Sequence, residues 1–454
     1  MRVHFIAIGG SAMHNLALAL HNKAYQVSGS DDEIFEPSRG RLAKAGILPE
    51  KYGWFPERIS HDIDAVILGM HARGDNPELK KAIDLGLKVY SYPEFLYEQS
   101  KNKKRVVIAG SHGKTSITAM VMHVLNELDI DFDFMVGAQL EGFDVMVRMS
   151  DDAEIMLFEG DEYLTSALDP RPKFHLYMPH IALISGIAWD HINVFPTFEN
   201  YIEQFKLFIE LIQAEGSLIY YSGDPILNEL SSVNTEIKAT PYNLPDYYKK
   251  DGELFMKSGD SVYPLQVFGE HNLQNIAGAM EICGALGITE AKFSEAISSF
   301  KGASKRLQLI DKDENTAVYL DFAHAPSKLK ATVTAVKGHF NDKNVVACME
   351  LHTYSSLNQD FLAEYKGAMD KADKAFVYFN PHTLELKKLP PISTEQVKEA
   401  FGRDDLMVFD DSSQMLDTLL QEDWNNSVLL LMSSGNFDGL EPEKLAGMIL
   451  NKKG

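Results

Sequence analysis

Residues 105–119, RVVIAGSHGKTSITA, decide how this chain is interpreted. An apolar run from Val106 to Ala109 is typical of a buried β-strand, and the residues that follow Thr115 favour a helix. The turn between them consists of Gly110, Ser111, His112, Gly113, Lys114, Thr115 and Ser116. A glycine turn between a strand and a helix lets backbone N–H groups close around an anion, and the helix N-terminus adds partial positive charge. The stretch therefore predicts a phosphate-binding loop.

The lysine and the threonine of this loop have the positions that bind a nucleoside triphosphate. Lys114 would reach the β- and γ-phosphates, and the Thr115 hydroxyl would contact Mg²⁺. The spacing between the glycines is shorter than in the usual pattern, because Ile108 stands where the first glycine should be. A structural glycine turn that happens to precede Lys-Thr is the alternative. We favour ATP or GTP binding because strand, turn and helix occur in the required order.

The composition excludes several classes of protein. A chain of 454 residues is too long for one ordinary core, and its net charge of −22 argues against a nucleic-acid or anionic-membrane surface. Cys283 and Cys348 are the only cysteines and form no CxxC pair, which favours a reducing compartment. With neither a leader nor a membrane-length apolar run, a cytoplasmic protein is expected, as a monomer or weak homodimer without membrane or nucleic-acid partners.

Strand-like and helix-like stretches alternate along the whole chain, which predicts an α/β fold with mostly parallel sheets. Polar stretches at Gln99–Lys104 and Lys301–Ser304 are the linker candidates. The sequence thus predicts three domains: a Rossmann-like domain over 1–100, a central P-loop ATPase domain over 101–302, and a Rossmann-like domain over 303–454.

A second glycine turn follows the first predicted strand, VHFIAI (3–8). The candidate residues are Gly9, Gly10 and Ser11, with Ser30 and Asp31 at the end of the second strand. This layout is that of a dinucleotide fold, although Ala7 and Ala12 occupy two places of the G-x-G-x-x-G pattern. NAD, a nucleotide sugar, and a turn that only packs a helix on a sheet all remain open.

Acidic residues and a histidine follow two further predicted strands. Glu159, Asp161 and Glu162 come after one apolar run, and Asp190-His191 comes after another. Carboxylates at the end of a strand beside a P-loop are suitable ligands for Mg²⁺, and a neutral imidazole can also coordinate a metal. A solvated acidic turn and a capping Asp-His pair are the alternatives.

With these motifs in order, the chain resembles the Mur ligase superfamily over essentially its whole length. The matching stretches are GSHGKTS (110–116), FEGDE (158–162), WDHIN (189–193), GEHNLQN (269–275), SKRLQ (304–308) and DFAHAPSK (321–328). The resemblance implies ATP-dependent amide formation through an acyl phosphate, with ATP and Mg²⁺ as cofactors.

The resemblance also implies a role for individual residues. Lys114 would contact the phosphates, with Thr115 and Glu159 on one Mg²⁺ and His191 at a second. Asn272 and Asn275 would approach adenine, Arg306 the phosphates, and Asp321 the ribose, with His324 in the same loop. Gly186, Ala188 and Ala325 depart from the family pattern. Lys206 lies near the position of a carbamylated lysine in relatives, but a surface lysine is the preferred interpretation.

The N-terminal stretches resemble the branch that takes UDP-N-acetylmuramate. One subgroup adds L-alanine, and another attaches L-alanyl-γ-D-glutamyl-meso-diaminopimelate in peptidoglycan recycling. DPRPKF (169–174), DFAH (321–324) and MSSGNFDG (432–439) favour the second subgroup. In the loop expected to face the incoming amine, His352 resembles the first subgroup, and Thr353 replaces an arginine.

Four interpretations compete with this one. Folylpolyglutamate synthetases share the P-loop core, but the N-terminal glycine-turn domain is not expected there. The L-alanine ligase is the nearest. A non-catalytic nucleotide-sugar sensor would fit if the departures from the pattern have removed activity. An NAD-dependent dehydrogenase would leave the P-loop and the acidic turn without a role.

Overall fold

Four parallel strands form the N-terminal sheet of the computed structural model, which describes residues 1–70, 72–140, 142–166, 168–189, 194–250, 253–303 and 306–451. The strands are β1 (Arg2–Ile6), β2 (Gln26–Ser30), β3 (Ala65–Leu68) and β4 (Val89–Ser91). The helices are α1 (Ser11–Asn22), α2 (Ser38–Lys44), α3 (Pro77–Asp84) and α4 (Tyr92–Ser100), with a 3₁₀ turn at Pro56–Arg58. Every residue of β3 is apolar and buried, as expected for a parallel strand covered on both faces.

The order of this sheet is β2-β1-β3-β4. Strand order therefore reverses at β1, and the crevice beyond the carboxyl ends of β1 and β3 is where ligands bind in open α/β sheets. The glycine turn at residues 9–11 follows β1 directly and so lies at this crevice.

The central sheet has seven strands in the order β11-β10-β9-β5-β8-β6-β7. They are β5 (Lys104–Ala109), β6 (Asp133–Met135), β7 (Val147–Arg148), β8 (Ile155–Glu159), β9 (Ile181–Ile184), β10 (Ser217–Tyr221) and β11 (Lys238–Tyr242). Its helices are α5 (Lys114–Glu127), α6 (Phe198–Glu210) and α7 (Pro225–Leu230), with a 3₁₀ turn at Lys173–Leu176. All pairings are parallel except β6 with β7. The carboxyl ends of β8, β5 and β9 therefore lie side by side.

A small antiparallel sheet and two helices follow. The strands are β12 (Tyr247–Lys250), β13 (Glu253–Ser258) and β14 (Ser261–Leu265), and the helices are α8 (Glu270–Ala285) and α9 (Glu290–Ile297).

The C-terminal sheet has six strands in the order β15-β16-β20-β17-β18-β19, and only β15 is antiparallel. They are β15 (Gln308–Lys312), β16 (Thr316–Asp321), β17 (Asn344–Leu351), β18 (Lys374–Phe379), β19 (Met407–Phe409) and β20 (Ser427–Met432). The helices are α10 (Pro326–His339), α11 (Pro381–Leu386), α12 (Thr394–Phe401), α13 (Ser412–Gln421) and α14 (Pro442–Asn451), with a 3₁₀ turn at Leu362–Tyr365. One face of this sheet packs on α13 and α14 through buried residues that include Phe376, Met415, Leu431 and Ile449.

The described chain divides into two compact units. The first comprises Met1–Ile187, Thr197–Asn243 and Gly278–Thr289, and the second comprises Ala188–Pro196, Leu244–Ala277 and Glu290–Gly454. Among the described residues, none of the helices combines the length and apolar character needed to span a bilayer.

The three-domain α/β architecture that the sequence predicts is confirmed by three mostly parallel sheets, each with its own helices, beside the small antiparallel β12–β14 sheet. The domain limits at 100 and 302 stay a prediction. The linker interpretation of Gln99–Lys104 is only partly right, because α4 continues to Ser100 and β5 starts at Lys104. Ser304, at the end of the second linker candidate, lies outside the described residues.

A buried arginine explains why the first linker candidate is ordered. Arg105, in β5, is 3% exposed, and its Nε donates to the carbonyls of Tyr177 and Met178 at 2.9 and 3.0 Å. Its Nη1 donates to the carbonyls of Ser100 and Lys101 at 3.1 and 3.0 Å. Burial lowers the pKa of Arg105, but these carbonyls satisfy the guanidinium and bind the end of α4 to the segment before β9.

Arg105→Met should destabilise the first unit, because several buried carbonyl groups lose their donor at once. A loss of about 3 kcal/mol corresponds to a fall of roughly 5–10 °C in the melting temperature. Scanning calorimetry measures this, with Arg39→Met on the exposed surface of α2 as the matched control. A variant that melts with the wild type would show that the guanidinium contributes little to stability.

Candidate functional site

The glycine turn joins β5 to α5 at the carboxyl edge of the central sheet. Gly110 and Gly113 have φ angles of 117° and 76°, which favour glycine. A Cβ on Gly110 would lie 2.7 Å from the backbone nitrogen of Ser185, so the turn has no room for a side chain there. The helix starts at Lys114 with Gly113 as its N-cap and without a side-chain cap. This is the arrangement in which helix N–H groups bind anions.

Lys114 is held by two acceptors beside the turn. Its Nζ lies 2.7 Å from the carbonyl oxygen of Gly110 and 2.7 Å from Oε2 of Glu162. The side chain of Glu162 is 1% exposed and that of Lys114 is 17% exposed. Burial alone would lower the pKa of Lys114, but the carboxylate of Glu162 outweighs it and the pKa lies above its ordinary value. Lys114 is therefore a cation at neutral pH.

Next to Lys114 on α5, the hydroxyl of Thr115 contacts the carboxylate of Glu159. The Thr115 Oγ1 donates to Oε1 of Glu159 at 2.7 Å, and the other oxygen of Glu159 accepts from the backbone N–H of Gly137 at 2.9 Å. Glu159 ends β8, the strand next to β5, and is 8% exposed. The P-loop and the acidic turn therefore form one site.

The acidic turn is only partly exposed, with the Glu162 side chain 1% exposed and that of Asp161 40% exposed, and each of its three carboxylates has its own partner. Asp161 pairs with Lys173 at 2.5 Å, in addition to the partners of Glu159 and Glu162 described above. Burial would raise the pKa of Asp161, but the Lys173 ammonium outweighs it and the pKa lies below its ordinary value. Lys173 belongs to the DPRPKF stretch, whose Arg171 pairs with Asp169 at 2.7 Å.

The donor set at this site suits Mg²⁺. A carboxylate and a hydroxyl are hard oxygen donors, and Mg²⁺ is commonly held by one or two carboxylates together with substrate phosphates. Among the described residues, no three His, Cys, Asp or Glu side chains form a metal-binding group. Asp190 and His191 lie outside the described residues, so the histidine ligand stays a prediction.

The N-terminal candidates lie together at the end of the first sheet. The backbone N–H of Gly9 donates to Oδ2 of Asp31 at 2.7 Å, and the carbonyl of Ser30 accepts from the N–H groups of Ala7 and Ile8 at 2.9 and 3.2 Å. Helix α1 starts at Ser11, with Gly10 as N-cap and no side-chain cap. The turn therefore presents a helix N-terminus at the crevice of this sheet, as a phosphate site requires.

Asp31 has an unusual protonation equilibrium. Burial raises its pKa to about 6, the N–H of Gly9 opposes that shift, and the neighbouring Asp32 adds to it. Its charge is thus sensitive to pH in a range where ordinary carboxylates are already ionised.

Five candidates for the nucleotide belong to the second unit. Asn272 and Asn275 lie on α8 and are buried, and Asn272 Nδ2 donates to the carbonyl of Phe268 at 2.9 Å. The Arg306 guanidinium lies 4.6 Å from the centre of the Phe322 ring. His324 Nδ1 lies 2.8 Å from the Phe322 carbonyl oxygen. Arg306, Asp321 and His324 are therefore gathered in one region after β16.

The carboxylate of Asp321 has a structural task. Its Oδ2 accepts from the backbone N–H of Leu307 at 2.7 Å, and its Oδ1 accepts from that of Ala323 at 2.7 Å. Asp321 is 6% exposed. Asp321 therefore fixes the backbone at Leu307 and at Ala323. Its contact with the ribose stays a prediction.

The two acceptor candidates differ in their surroundings. His352 follows β17, and its Nδ1 lies 3.6 Å from Oε1 of the buried Glu350. Burial would raise the pKa of Glu350, but His352, the Ser433 hydroxyl and the Phe437 N–H outweigh it, so the pKa lies below its ordinary value. Thr353 forms a local hydrogen bond, in which its Oγ1 accepts from the Ser356 N–H at 3.0 Å. Sequence reasoning missed Glu350, although an acidic residue near the end of a buried strand was a usable signal.

The structure explains two residues, Lys206 and Gly186, that differ from the family pattern or have an open role in the sequence. Lys206 lies on α6 with its side chain 40% exposed, 3.4 Å from Glu203, which agrees with a surface lysine. Gly186 has a φ of 144°, and its carbonyl accepts from the N–H of Ser111 at 2.9 Å. The departure at Gly186 therefore supports the glycine turn.

Sequence reasoning also missed Tyr201. This residue of α6 is fully buried, and its hydroxyl lies 3.0 Å from Ser111 Oγ and 3.2 Å from Glu162 Oε1. The sequence predicts that a tyrosine within an amphipathic helix belongs to the core. Its spacing does not indicate that its hydroxyl contacts the phosphate turn.

A glycine turn that ends a parallel strand, starts a helix and carries a paired lysine defines a nucleotide-binding enzyme of the P-loop class. Three family descriptions match the chain in order: "Mur ligase family, catalytic domain" over 2–104, "Mur ligase middle domain" over 108–283 and "Mur ligase, glutamate ligase domain" over 305–435. The UDP-N-acetylmuramate–L-alanine ligase of Arthrobacter sp. (strain FB24) is 30% identical over 387 residues, covering 83% of this chain and 80% of the relative. The chain belongs to the Mur ligase family, and it is an ATP-dependent ligase that forms C–N bonds.

Solved structures share this fold over nearly the whole chain. The murein peptide ligase of Psychrobacter arcticus has a TM-score of 0.67 at 22% identity, covering 99% of each chain. The UDP-N-acetylmuramate–alanine ligase of Thermotoga maritima has a TM-score of 0.71 at 20% identity, covering 100% of this chain and 99% of that one. The MurF ligase of Thermotoga maritima, solved with ADP, has a TM-score of 0.61 at 16% identity, covering 86% and 90%.

The raised pKa of Asp31 predicts a pH-dependent stability. Between about pH 4 and pH 6 the folded chain binds more protons at this site than the unfolded chain, so this contribution to stability falls as pH rises and is lost above about pH 6. Asp31→Asn keeps an oxygen acceptor for Gly9 without the charge. Relative to wild type, it should gain about 1.4 kcal/mol between pH 5 and pH 7.5.

Melting temperatures of both proteins at the two pH values measure this gain, with Asp84→Asn on the exposed surface of α3 as control. A difference between Asp31→Asn and wild type that does not change with pH would contradict the assignment.

Proposed function

We propose that this enzyme joins the lactyl carboxylate of UDP-N-acetylmuramate to the amine of a peptide acceptor, using ATP. The observation that carries the proposal is the single site in which Lys114, Thr115 and Glu159 meet at the carboxyl ends of β5 and β8. We assign UDP-sugar binding to residues 1–100, ATP binding to 101–302 and acceptor binding to 303–454.

The chemistry explains why such a site is needed. A carboxylate does not react with an amine until one of its oxygens becomes a good leaving group. Transfer of the γ-phosphoryl group of ATP to the carboxylate forms an acyl phosphate and releases ADP. The amine then attacks the carbonyl carbon of the acyl phosphate, and the tetrahedral adduct loses a proton from nitrogen and inorganic phosphate to leave the amide. Two anions must approach each other in the first step. The Lys114 cation at the glycine turn would neutralise the phosphate charge that develops there.

Thr115 and Glu159 would hold Mg²⁺ beside the phosphates. When bound, this ion neutralises phosphate charge and orients the transferred group. At the end of the first sheet, the α1 N-terminus with Gly10 and Ser11 would receive the pyrophosphate of the UDP-sugar.

For the acceptor, we propose L-alanyl-γ-D-glutamyl-meso-diaminopimelate. Support comes from the stretches DFAH and MSSGNFDG. Residues Ser433 and Phe437 of the second stretch bind Glu350 and so fix the position of His352, the acceptor candidate. The DPRPKF stretch gives weaker support, since its cations form internal pairs with Asp161 and Asp169.

Free L-alanine is the second candidate acceptor, because curated relatives that match the chain are named as L-alanine ligases. One of them, from Carboxydothermus hydrogenoformans, is 28% identical over 453 residues, covering 96% of this chain and 95% of the relative. Thr353 does not separate the two acceptors, since both carry carboxylates and the arginine that Thr353 replaces is expected in both subgroups.

An acceptor panel tests the proposal. The purified enzyme receives ATP, Mg²⁺ and UDP-N-acetylmuramate with either the tripeptide or L-alanine, and the mass of the UDP-linked product is measured together with phosphate release. Product with the tripeptide, dependent on all components, is expected. Product with L-alanine alone would establish the second candidate, and no product with either would overturn the proposed substrates.

Lys114→Ala should reduce turnover by a factor of about 10² or more, because the γ-phosphoryl group loses its fixed counter-charge. Phosphate release under saturating substrates measures this effect, and the melting temperature checks the fold. Lys292→Ala, an exposed lysine on α9, is the matched control and should retain full activity. Near-normal product formation by Lys114→Ala would contradict the role of the glycine turn.

A further inference from the structure

Tyr201 links the glycine turn to the acidic turn through one hydroxyl. Its oxygen lies 3.0 Å from Oγ of Ser111, in the turn after β5, and 3.2 Å from Oε1 of Glu162, in the turn after β8. Neither hydrogen bond belongs to the secondary structure. The two loops that make up the phosphate site are thus bridged by a residue from a third element, α6.

The direction of these hydrogen bonds follows from the groups involved. An ionised carboxylate only accepts, so the single hydroxyl hydrogen of Tyr201 is donated to Glu162. Tyr201 must then accept from the Ser111 hydroxyl. The sequence Ser111 to Tyr201 to Glu162 is a chain of donors that ends on the carboxylate, and each bond polarises the next.

The position of this hydroxyl is fixed by packing. Tyr201 is 0% exposed, and its ring meets that of Phe205 edge to face, with centroids 5.2 Å apart. Phe205, also fully buried, meets Phe174 in the same way at 5.5 Å. The ring cannot swing without opening this aromatic cluster, so Glu162 is bound to a rigid support.

The other oxygen of Glu162 determines where the lysine lies. Oε2 accepts from Nζ of Lys114 at 2.7 Å, and the Gly110 carbonyl accepts from the same nitrogen at 2.7 Å. An ammonium group has three donors, so these two acceptors use two of them and fix the direction of the third. A lysine on a flexible stem is thereby held in one orientation at the turn.

We propose that Tyr201 is a positioning residue for Lys114: by hydrogen-bonding Glu162 and Ser111, it fixes the carboxylate that orients the lysine ammonium toward the phosphates of ATP. The proposal rests on the proposed role of Lys114 in phosphoryl transfer. It adds a residue that acts on the lysine through the carboxylate of Glu162, with Ser111 as a second partner in the glycine turn.

Tyr201→Phe tests this, because it removes the hydroxyl and keeps the ring. We expect kcat to fall about tenfold, the scale of one hydrogen bond to a charged group, while the KM for UDP-N-acetylmuramate stays within about twofold. Tyr177→Phe is the matched control: Tyr177 is equally buried, stacks on Phe158, and its hydroxyl has no hydrogen-bond partner among the described residues. Its kcat should equal that of wild type.

A double-mutant cycle separates positioning from general packing. Glu162→Gln should lower kcat more than Tyr201→Phe does, and adding Tyr201→Phe to Glu162→Gln should cost much less than Tyr201→Phe costs in wild type, because Tyr201 positions the lysine through that carboxylate. Multiplicative effects of the two changes would overturn the proposal, as would a Tyr201→Phe enzyme with wild-type kcat. Glu162→Gln also provides a test from the other end of the network if Tyr201→Phe folds poorly.

Calorimetry of wild-type enzyme with Mg²⁺ and ATP distinguishes a failure of the positioning role of Tyr201 from a failure of the proposed role of Lys114. Binding and turnover by wild type, with an unchanged kcat in Tyr201→Phe, would refute the positioning role alone. Absence of ATP binding by wild type would refute the role of Lys114 itself.

Discussion

A lysine cannot remain charged in a largely buried position without a counter-charge, and the Lys114–Glu162 ion pair meets that requirement. The arrangement of the central sheet follows from it. Glu162 follows β8, the strand next to β5. On the other side, the residues after β9 contact the turn: the Ser185 hydroxyl donates to the carbonyl of His112, and the Gly186 carbonyl accepts from the N–H of Ser111. Parallel strands with adjacent carboxyl ends bring these parts together without any long loop.

Because the chain is strongly negative, the pairing of its carboxylates at this site also affects the binding of an anionic ligand. A protein of net charge −22 that binds triphosphate must place its cations where the phosphates come, and must prevent its own carboxylates from repelling them. Each carboxylate of the acidic turn is matched: Glu159 by a hydroxyl and an N–H, Asp161 by Lys173, and Glu162 by Lys114. Repulsion within the turn is thereby contained before any ligand arrives.

Much of the fold was predictable because its signals are local. Buried parallel strands such as Ser427–Met432 appear as continuous apolar runs, and the helices after Gly10 and Gly113 begin where glycine turns end. The small β12–β14 sheet was not predicted, since its strands are only four to six residues long and bury few side chains, among them Leu254, Met256 and Leu265.

The candidate site was predictable only where it is continuous in sequence. Residues 110–116 carry their own strand, turn and helix, and the acidic turn follows a strand in the same way. Tyr201 and Glu350 act through side chains that meet partners far along the chain, at separations of 90 and 83 residues for Ser111 and Ser433. No periodicity or spacing reports such a contact, because tertiary packing alone creates it.

The buried guanidinium of Arg105 has a mechanical consequence. Residues 101–103 form a short polar segment between two sheets, as is typical of a flexible hinge. Yet Arg105 binds the carbonyls on the N-terminal side of this segment and, with the same group, those at 177 and 178 in the central part. Rotation about this joint would have to break all of these hydrogen bonds together, so Arg105 opposes independent movement of the first sheet and the central sheet.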